Sequence, residues 1–240
     1  MVAYPVRAMS NNWLPLRIQL GFDSLTLGPG TGIEVPAHCT TVLLAADGGL
    51  RLDSPGGQYH FDQLGAACLR RGGRATASGN AHVLRWTIQA AHADAEPSSC
   101  ASGRLDVLTP SVLAQPVLLR LDLIRFPAGA VAFWHTHAGP GIRCLLSGRV
   151  EVRFEGSCSE HGPLQPWYEP GDDPVRVAAL GSDPALIARL LLLPRELAGG
   201  VPSIRYTRRD EEHLPRLQTY TNLLEDTQID AYALPKGKEH

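Results

Sequence analysis

The chain has 240 residues, room for one large domain or two small ones. Hydrophobic residues make up 44% and charged residues 19%, a globular rather than a disordered composition. Lys+Arg 22 against Asp+Glu 24 leaves a net charge of −2, which offers no general electrostatic handle for nucleic acid or an anionic membrane.

In chain order the first readings concern targeting. The N-terminal run MVAYPVRAMSNNW lacks the apolar core of a secretory signal. No stretch of about 18 consecutive apolar residues follows, so no membrane-spanning helix is expected. Cys39, Cys68, Cys100, Cys144 and Cys158 form an odd set without a C-x-x-C pair. Reduced thiols in a cytoplasmic protein fit that pattern better than a disulfide framework or a zinc knuckle.

The apolar segments are short and end at turn signals. Residues 25–27 run into Gly28-Pro29-Gly30, residues 41–45 into Asp47-Gly48-Gly49, and residues 50–52 into Ser54-Pro55-Gly56-Gly57. A further segment covers 83–88. The stretch 91–111 is rich in Ala, Ser, Asp, Pro and Gly, so a connector is expected over 96–115. Beyond it come segments at 117–126, 131–137, 142–146 and 150–154. Val117, Leu119, Leu121 and Leu123 alternate with Leu118, Arg120 and Asp122, and Val150, Val152 and Phe154 alternate with Glu151 and Arg153. A period of two with regular turns predicts an all-β sandwich or barrel. The apolar run 185–193 carries Arg189 and stops at Pro194. Pro215 interrupts the one helical pattern, 210–224, so at most one or two short turns are expected there. The division that results is a half at 1–95, the connector, a half at 116–195 and a tail at 196–240 that packs on the barrels or on a partner subunit.

The two halves repeat. Gly32 precedes His38 by six residues, and Leu43-Leu44, Gly48 and Leu50-Arg51-Leu52 follow. Gly129 precedes His135 by six residues, and Leu145-Leu146, Gly148 and Val150-Glu151-Val152 follow. Matching Gly32 with Gly129 and His38 with His135 makes the first half a worn copy of the second.

The stretch from Gly129 to Gly148 is the most informative. Gly129, His135, His137 and Gly148 stand at the offsets of the first cupin motif, G-x5-H-x-H-x(3,4)-E-x6-G. Here the sequence resembles the cupin superfamily. Residues two apart on a strand face the same side, so two imidazoles of H-x-H can close on one metal inside a barrel. The motif's glutamate position holds Gly141, and the histidine position of the second cupin motif holds Pro174. Glu169 shares strand parity with Trp167, and it is either the replacement carboxylate or a strand-end surface residue. Arg143 shares the parity of Gly141, and it is either a clamp for a carboxylate substrate or a structural arginine. Cys144 points the opposite way and reads as a small buried hydrophobe. Trp134 alternates away from His135 and reads as packing between halves or subunits. The remaining histidines show no ligand spacing and read as surface residues.

The resemblance implies a bicupin: two double-stranded β-helix (jelly-roll) barrels, the first degenerate. It implies one divalent transition metal, Fe, Mn, Ni or Zn, on His135, His137 and Glu169, with Arg143 binding substrate. The activity it implies is that of a metal-dependent, dioxygenase-like oxidoreductase acting on a small organic molecule. The alternative is a non-catalytic small-molecule binding or sensor protein that has lost its metal. A homodimer is expected, with neither nucleic acid nor membrane as partner. No G-x-S-x-G elbow, Walker A sequence or G-x-G-x-x-G run is present.

Overall fold

A computed structural model describes residues 17–91, 104–109, 117–211 and 213–229. The first half forms β1 (Arg17–Leu27), β2 (Gly32–Val35), β3 (Thr40–Asp47), β4 (Leu50–Ser54), β5 (Gly57–Phe61), β6 (Ala66–Leu69), β7 (Gly73–Ala77) and β8 (Ala81–Ala91), followed by β9 (Arg104–Leu108). The second forms β10 (Val117–Phe126), β11 (Val131–His137), β12 (Gly141–Ser147), β13 (Val150–Phe154), β14 (Ser157–His161), β15 (Pro166–Glu169), β16 (Val175–Ala179) and β17 (Ala185–Pro194). The tail adds β18 (Ile204–Tyr206) and β19 (Thr219–Ile229), with single 3-10 turns at Arg195–Leu197 and Arg209–Glu211. Among the described residues no helix is long and apolar enough to cross a membrane.

The strands make two barrels of the same construction. The first pairs a sheet ordered β6-β3-β8-β1-β9 with one ordered β2-β7-β4-β5. The second pairs β15-β12-β17-β10-β19 with β14-β13-β16-β11-β18. Strands β1 to β8 thus recur, in order, as β10 to β17. The register corrects the alignment of the repeat. Gly32 faces Thr76 beside the Leu50–Ala77 pair, and Val131 faces Ala178 beside the Val150–Ala179 pair. Gly32 therefore matches Val131, and the true partner of Gly129 is Gly30. Both of these glycines sit in turns at positive φ, 69° and 72°, which suits a residue without a side chain. His38 lies on the exposed turn after β2 and has no place in the strand.

The β6-β3-β8-β1-β9 and β15-β12-β17-β10-β19 sheets pack face to face. Ile18, Leu20 and Phe22 of β1 meet Leu119 and Leu121 of β10 in a continuous apolar layer that also holds Cys144. This explains why β10 is buried on both faces. One face supplies the layer between barrels, and the other, with Leu118, Arg120, Asp122, Ile124 and Phe126, looks into the second barrel. The Cys144 thiol, buried in the shared layer, is pushed up to about 12.

One expectation changes here, and another is narrowed. The connector contains β9, which pairs with β1 from Gln19–Leu108 to Asp23–Arg104, because its alternating residues can extend an open sheet edge. Thr109 follows β9 with its hydroxyl accepting from the Ile18 N–H at 3.1 Å, and the rest of the connector lies outside the described residues. The tail closes its own barrel: β18 pairs with β11 and β19 with β10. Trp134 consequently meets the tail rather than the other half. The Arg208 guanidinium lies 4.5 Å above its ring, and its backbone N–H donates to Glu211 Oε2 at 3.0 Å.

Candidate metal centre

Strand β11 turns His135 and His137 into the second barrel, where they are 3% and 7% exposed. Alternation from the inward Ala132 would send His135 outward. The register of β11 against β16 shifts between Ala132 and His135, and this bulge reverses the parity. Within it His135 Nδ1 lies 2.6 Å from the Phe133 carbonyl oxygen. A carbonyl only accepts, so Nδ1 carries the proton and Nε2 presents a lone pair to the barrel interior. His135 Nε2 and His137 Nε2 stand 3.2 Å apart. Burial lowers both imidazoles, His137 to about 3, so both are neutral near pH 7.

The carboxylate arrives from the neighbouring strand. Glu169, at the end of β15, pairs directly across from Gly141 of β12. A Cβ on Gly141 would lie 2.1 Å from the Leu190 carbonyl oxygen, so position 141 admits no glutamate. Trp167 Nε1 donates to Glu169 Oε1 at 2.8 Å. Oε2 lies 3.4 Å from His137 Nε2 and 2.7 Å from Arg143 Nη2. Oε2 is buried, and these two ion-pair contacts are its polar neighbours. Burial raises the Glu169 pKa, but the Arg143 charge and the two histidines outweigh it and hold the carboxyl well below the usual range. The ligand atoms of His135, His137 and Glu169 all lie within 4.8 Å of one another, a group that could hold a metal ion.

Arg143 is enclosed in the second barrel. It is 2% exposed, its Nη1 donates to the Gly141 carbonyl at 2.7 Å, and its other arm faces Glu169. Burial lowers it to about 10, which still leaves it charged. The guanidinium faces Glu169 and also lines the small cavity at the histidines. The first barrel solves the same positions without charge: Leu43 stands at the place of Arg143 and Leu69 at that of Glu169, both inside its apolar core.

Above the cluster, Arg189 of β17 makes a bidentate pair with Asp122 of β10, Nε to Oδ1 at 2.9 Å and Nη2 to Oδ2 at 2.6 Å. The first barrel repeats the pair as Arg85 and Asp23, with contacts of 3.0 and 2.7 Å. Arg189 and Tyr220 line both a cavity of about 20 Å³ at the histidines and a chamber of about 350 Å³ beyond them. The small cavity has room for an ion or one water. The chamber is walled by the tail, including Pro202, Ile204, Tyr206, Gln218 and Tyr220. None of these tail residues is marked in the sequence, since strand pairing across roughly 70 to 100 residues brings them to the barrel mouth. Of the histidines read as surface residues, His161 is half-buried with its ring 4.8 Å from Trp167; His92 and His240 lie outside the described residues.

No protein-family model and no curated protein matches the sequence. Solved structures match the fold. AerE from Microcystis aeruginosa superposes with a TM-score of 0.57 at 10% identity, over 75% of this chain and 93% of that one. Bacillus subtilis oxalate decarboxylase, described with Mn(II) centres, superposes with a TM-score of 0.54 at 11% identity, over 72% of this chain and 68% of that one. A cupin 2 conserved barrel domain protein from Leptotrichia buccalis is matched at 13% identity and a TM-score of 0.46, over 75% and 85% of the two chains. The chain has a bicupin fold, two cupin barrels in one polypeptide.

Proposed function

We propose that this bicupin is a metal-dependent enzyme acting on a small organic molecule, with one divalent transition metal on His135, His137 and Glu169. The observation that carries the proposal is the convergence of a buried carboxylate and two neutral imidazoles, the ligand atoms of His135, His137 and Glu169 lying within 4.8 Å of one another. Two histidines and one carboxylate with positions left open suit Fe(II) and related ions. Bound there, such an ion would supply Lewis-acid or one-electron chemistry with dioxygen, the basis for a dioxygenase-like reaction.

The chain's own residues prepare the site. The Phe133 carbonyl fixes the His135 tautomer so that Nε2 is a ligand atom. Arg143 keeps Glu169 ionised, and Trp167 holds its second oxygen. The chamber beyond Arg189 and Tyr220 receives the organic molecule. The fold shared with a Mn(II)-containing oxalate decarboxylase supports a metal in a barrel of this kind. We further infer a homodimer, because Val201, Leu217 and Tyr220 are exposed apolar side chains of the tail, and a cytoplasmic location, which the unpaired cysteine pattern favours. Light scattering tests the assembly, with a mass twice 25.9 kDa expected and a monomer contradicting it.

A second reading, a non-catalytic binder without metal, is favoured by one feature: Arg143 already balances the Glu169 charge. Elemental analysis separates the two. Protein supplied in turn with Fe, Mn, Ni and Zn is expected to retain about one ion per chain, and His135→Ala/His137→Ala none. Retention by neither protein supports the binder.

A further inference from the structure

The first barrel has a cavity of its own, about 480 Å³, in the place that corresponds to the second barrel's chamber. Asp23 and Arg85 line the one as Asp122 and Arg189 line the other. Strand register matches the neighbouring positions. Gln19 faces Gln89 and Gly21 faces Thr87 in the first barrel, where Leu118 faces Leu193 and Arg120 faces Leu191 in the second. The three leucines form an apolar plug with Leu197 and Ala198 of the tail. Arg120 ties that tail down by donating to the Leu197 and Val201 carbonyls. In the first barrel the whole plug is exchanged for polar groups. Gln19, Thr87 and Gln89 replace the leucines and line the cavity, and Gly21 gives up the volume of the arginine. His38, three residues before Thr41, also lines it, whereas Ala138, three before the equivalent Gly141, packs on the plug. A Cβ on Gly21 would lie 2.3 Å from Thr87 Oγ1 and 3.0 Å from Asp106 Oδ1. Glycine inside a strand marks a place where another group approaches the backbone closely.

The groups at this mouth are open in a specific way. Gln89 Nε2 donates to Gln19 Oε1 at 2.7 Å, which leaves Gln19 Nε2 as a donor and Gln89 Oε1 as an acceptor. Exchanging both amides leaves one donor and one acceptor again. Neither atom, nor the Thr87 hydroxyl, has a partner among the described residues, and none of the three is sealed from solvent. The charges around them are matched: Asp23 accepts two hydrogen bonds from Arg85, and Arg104 donates to Asp106 at 2.9 Å. Pro36 and Cys39 apart, every side chain lining the cavity is polar or charged.

We propose that the first barrel binds a neutral polyhydroxylated molecule, a polyol or a monosaccharide, in this cavity, with Gln19, Thr87 and Gln89 reading its hydroxyls. An apolar ligand would strip water from these groups and return no hydrogen bond. An ion would meet charges that are already paired. A hydroxyl both donates and accepts, so a row of hydroxyls completes a donor, an acceptor and a third hydroxyl together. The volume, equal to about sixteen waters at ~30 Å³ each, lies in the ordinary range of small-molecule sites. The site is separate from the metal centre and does not depend on it.

Sorbitol, ribitol, D-glucose and cyclohexanol, titrated in turn into the full-length protein and followed by backbone-amide NMR, test this. At least one of the first three should give saturable shifts confined to β1, β8 and β9 around Gln19, Gly21, Thr87, Gln89 and Asp106. It should bind about tenfold more tightly than cyclohexanol, which offers a single hydroxyl. Gln19→Leu/Gln89→Leu copies Leu118 and Leu193 and should abolish the shifts. Thr87→Val removes one hydroxyl with little change of shape and should weaken binding about tenfold. A thermal melt of each variant confirms folding. No shift with any of the three polyhydroxylated probes, shifts that do not saturate or that map to β10 and β17 instead, equal binding of cyclohexanol, or undiminished binding in either folded variant overturns the proposal. The mouth of the first barrel is then a solvated surface only.

Discussion

Removing the Glu169 charge should unbalance the second barrel more than any exposed change. In Glu169→Gln the Arg143 guanidinium stays 2% exposed while its counter-charge disappears, and its other bond, to the Gly141 carbonyl at 2.7 Å, is to a neutral acceptor. Breaking a buried ion pair from one side costs about 3–5 kcal/mol. In a chain of this size that lowers the melting temperature by roughly 10 °C, at about 2–4 °C per kcal/mol. The first barrel shows the remedy, since Leu43 and Leu69 fill the equivalent positions without charge. The double variant Arg143→Leu/Glu169→Leu should accordingly regain more than half of the stability lost by Glu169→Leu alone. The residual loss belongs to Trp167 Nε1, which gives up its acceptor at a cost of about 1–3 kcal/mol. Chemical denaturation of the wild type, both single variants and the double variant gives the coupling energy directly. A double variant as unstable as the two single losses added together would refute the view that the two charges exist for each other.

Acid should weaken the protein in two stages. His137 titrates near 6.5 unfolded and about 3 folded, so the unfolded chain binds the extra proton first and stability falls as pH drops below about 6.5. Glu169, whose folded pKa is depressed, adds a loss as pH falls through the ordinary carboxylate range near 4. Thermal melts from pH 8 to pH 4 should therefore fall in both windows, and His137→Gln should shrink the upper one, which His135 shares; a flat profile above pH 5 would contradict the neutral buried imidazoles. Asp122→Asn strands Arg189, whose side chain is 7% exposed, and should cost about 3–5 kcal/mol, whereas Asp23→Asn in the first barrel leaves Arg85 in contact with solvent at 23% and should cost less than half as much. Equal losses on denaturation would contradict the burial argument. Gly141→Ala drives a methyl group onto the Leu190 carbonyl and should cost about 1–3 kcal/mol and weaken metal retention; unchanged melting and metal content would contradict the close approach.

The barrel class was legible because alternation in β10 and β13 follows from the pleat itself. The His135, His137 and Glu169 cluster was legible because those side chains carry their chemistry in their type. Other features depended on contacts that spacing does not encode. The bulge that turns His135 inward leaves no mark in composition, so simple parity reached the right orientation for His137 without describing the path to it. Gly32 opens the first barrel's second strand and Gly30 precedes it, and only strand register shows that Gly30 is the one that matches Gly129. Arg143 was read from its parity as a residue for substrate, and parity sets only which face a side chain occupies. Its ion pair with Glu169 comes from the β12–β15 pairing. The tail carried no period strong enough to reveal β18 and β19, so Tyr206, Gln218 and Tyr220 were not visible as walls of a chamber.

The central claim is that the two imidazoles and the Glu169 carboxylate share one ion. The most direct measurement is a crystal structure of protein supplied with Fe, Mn, Ni or Zn, with anomalous scattering recorded at the metal edge. The account predicts one anomalous peak about 2.0–2.3 Å from His135 Nε2, His137 Nε2 and Glu169 Oε2. A site in which Arg143 keeps the carboxylate to itself and no peak lies between the histidines would contradict it.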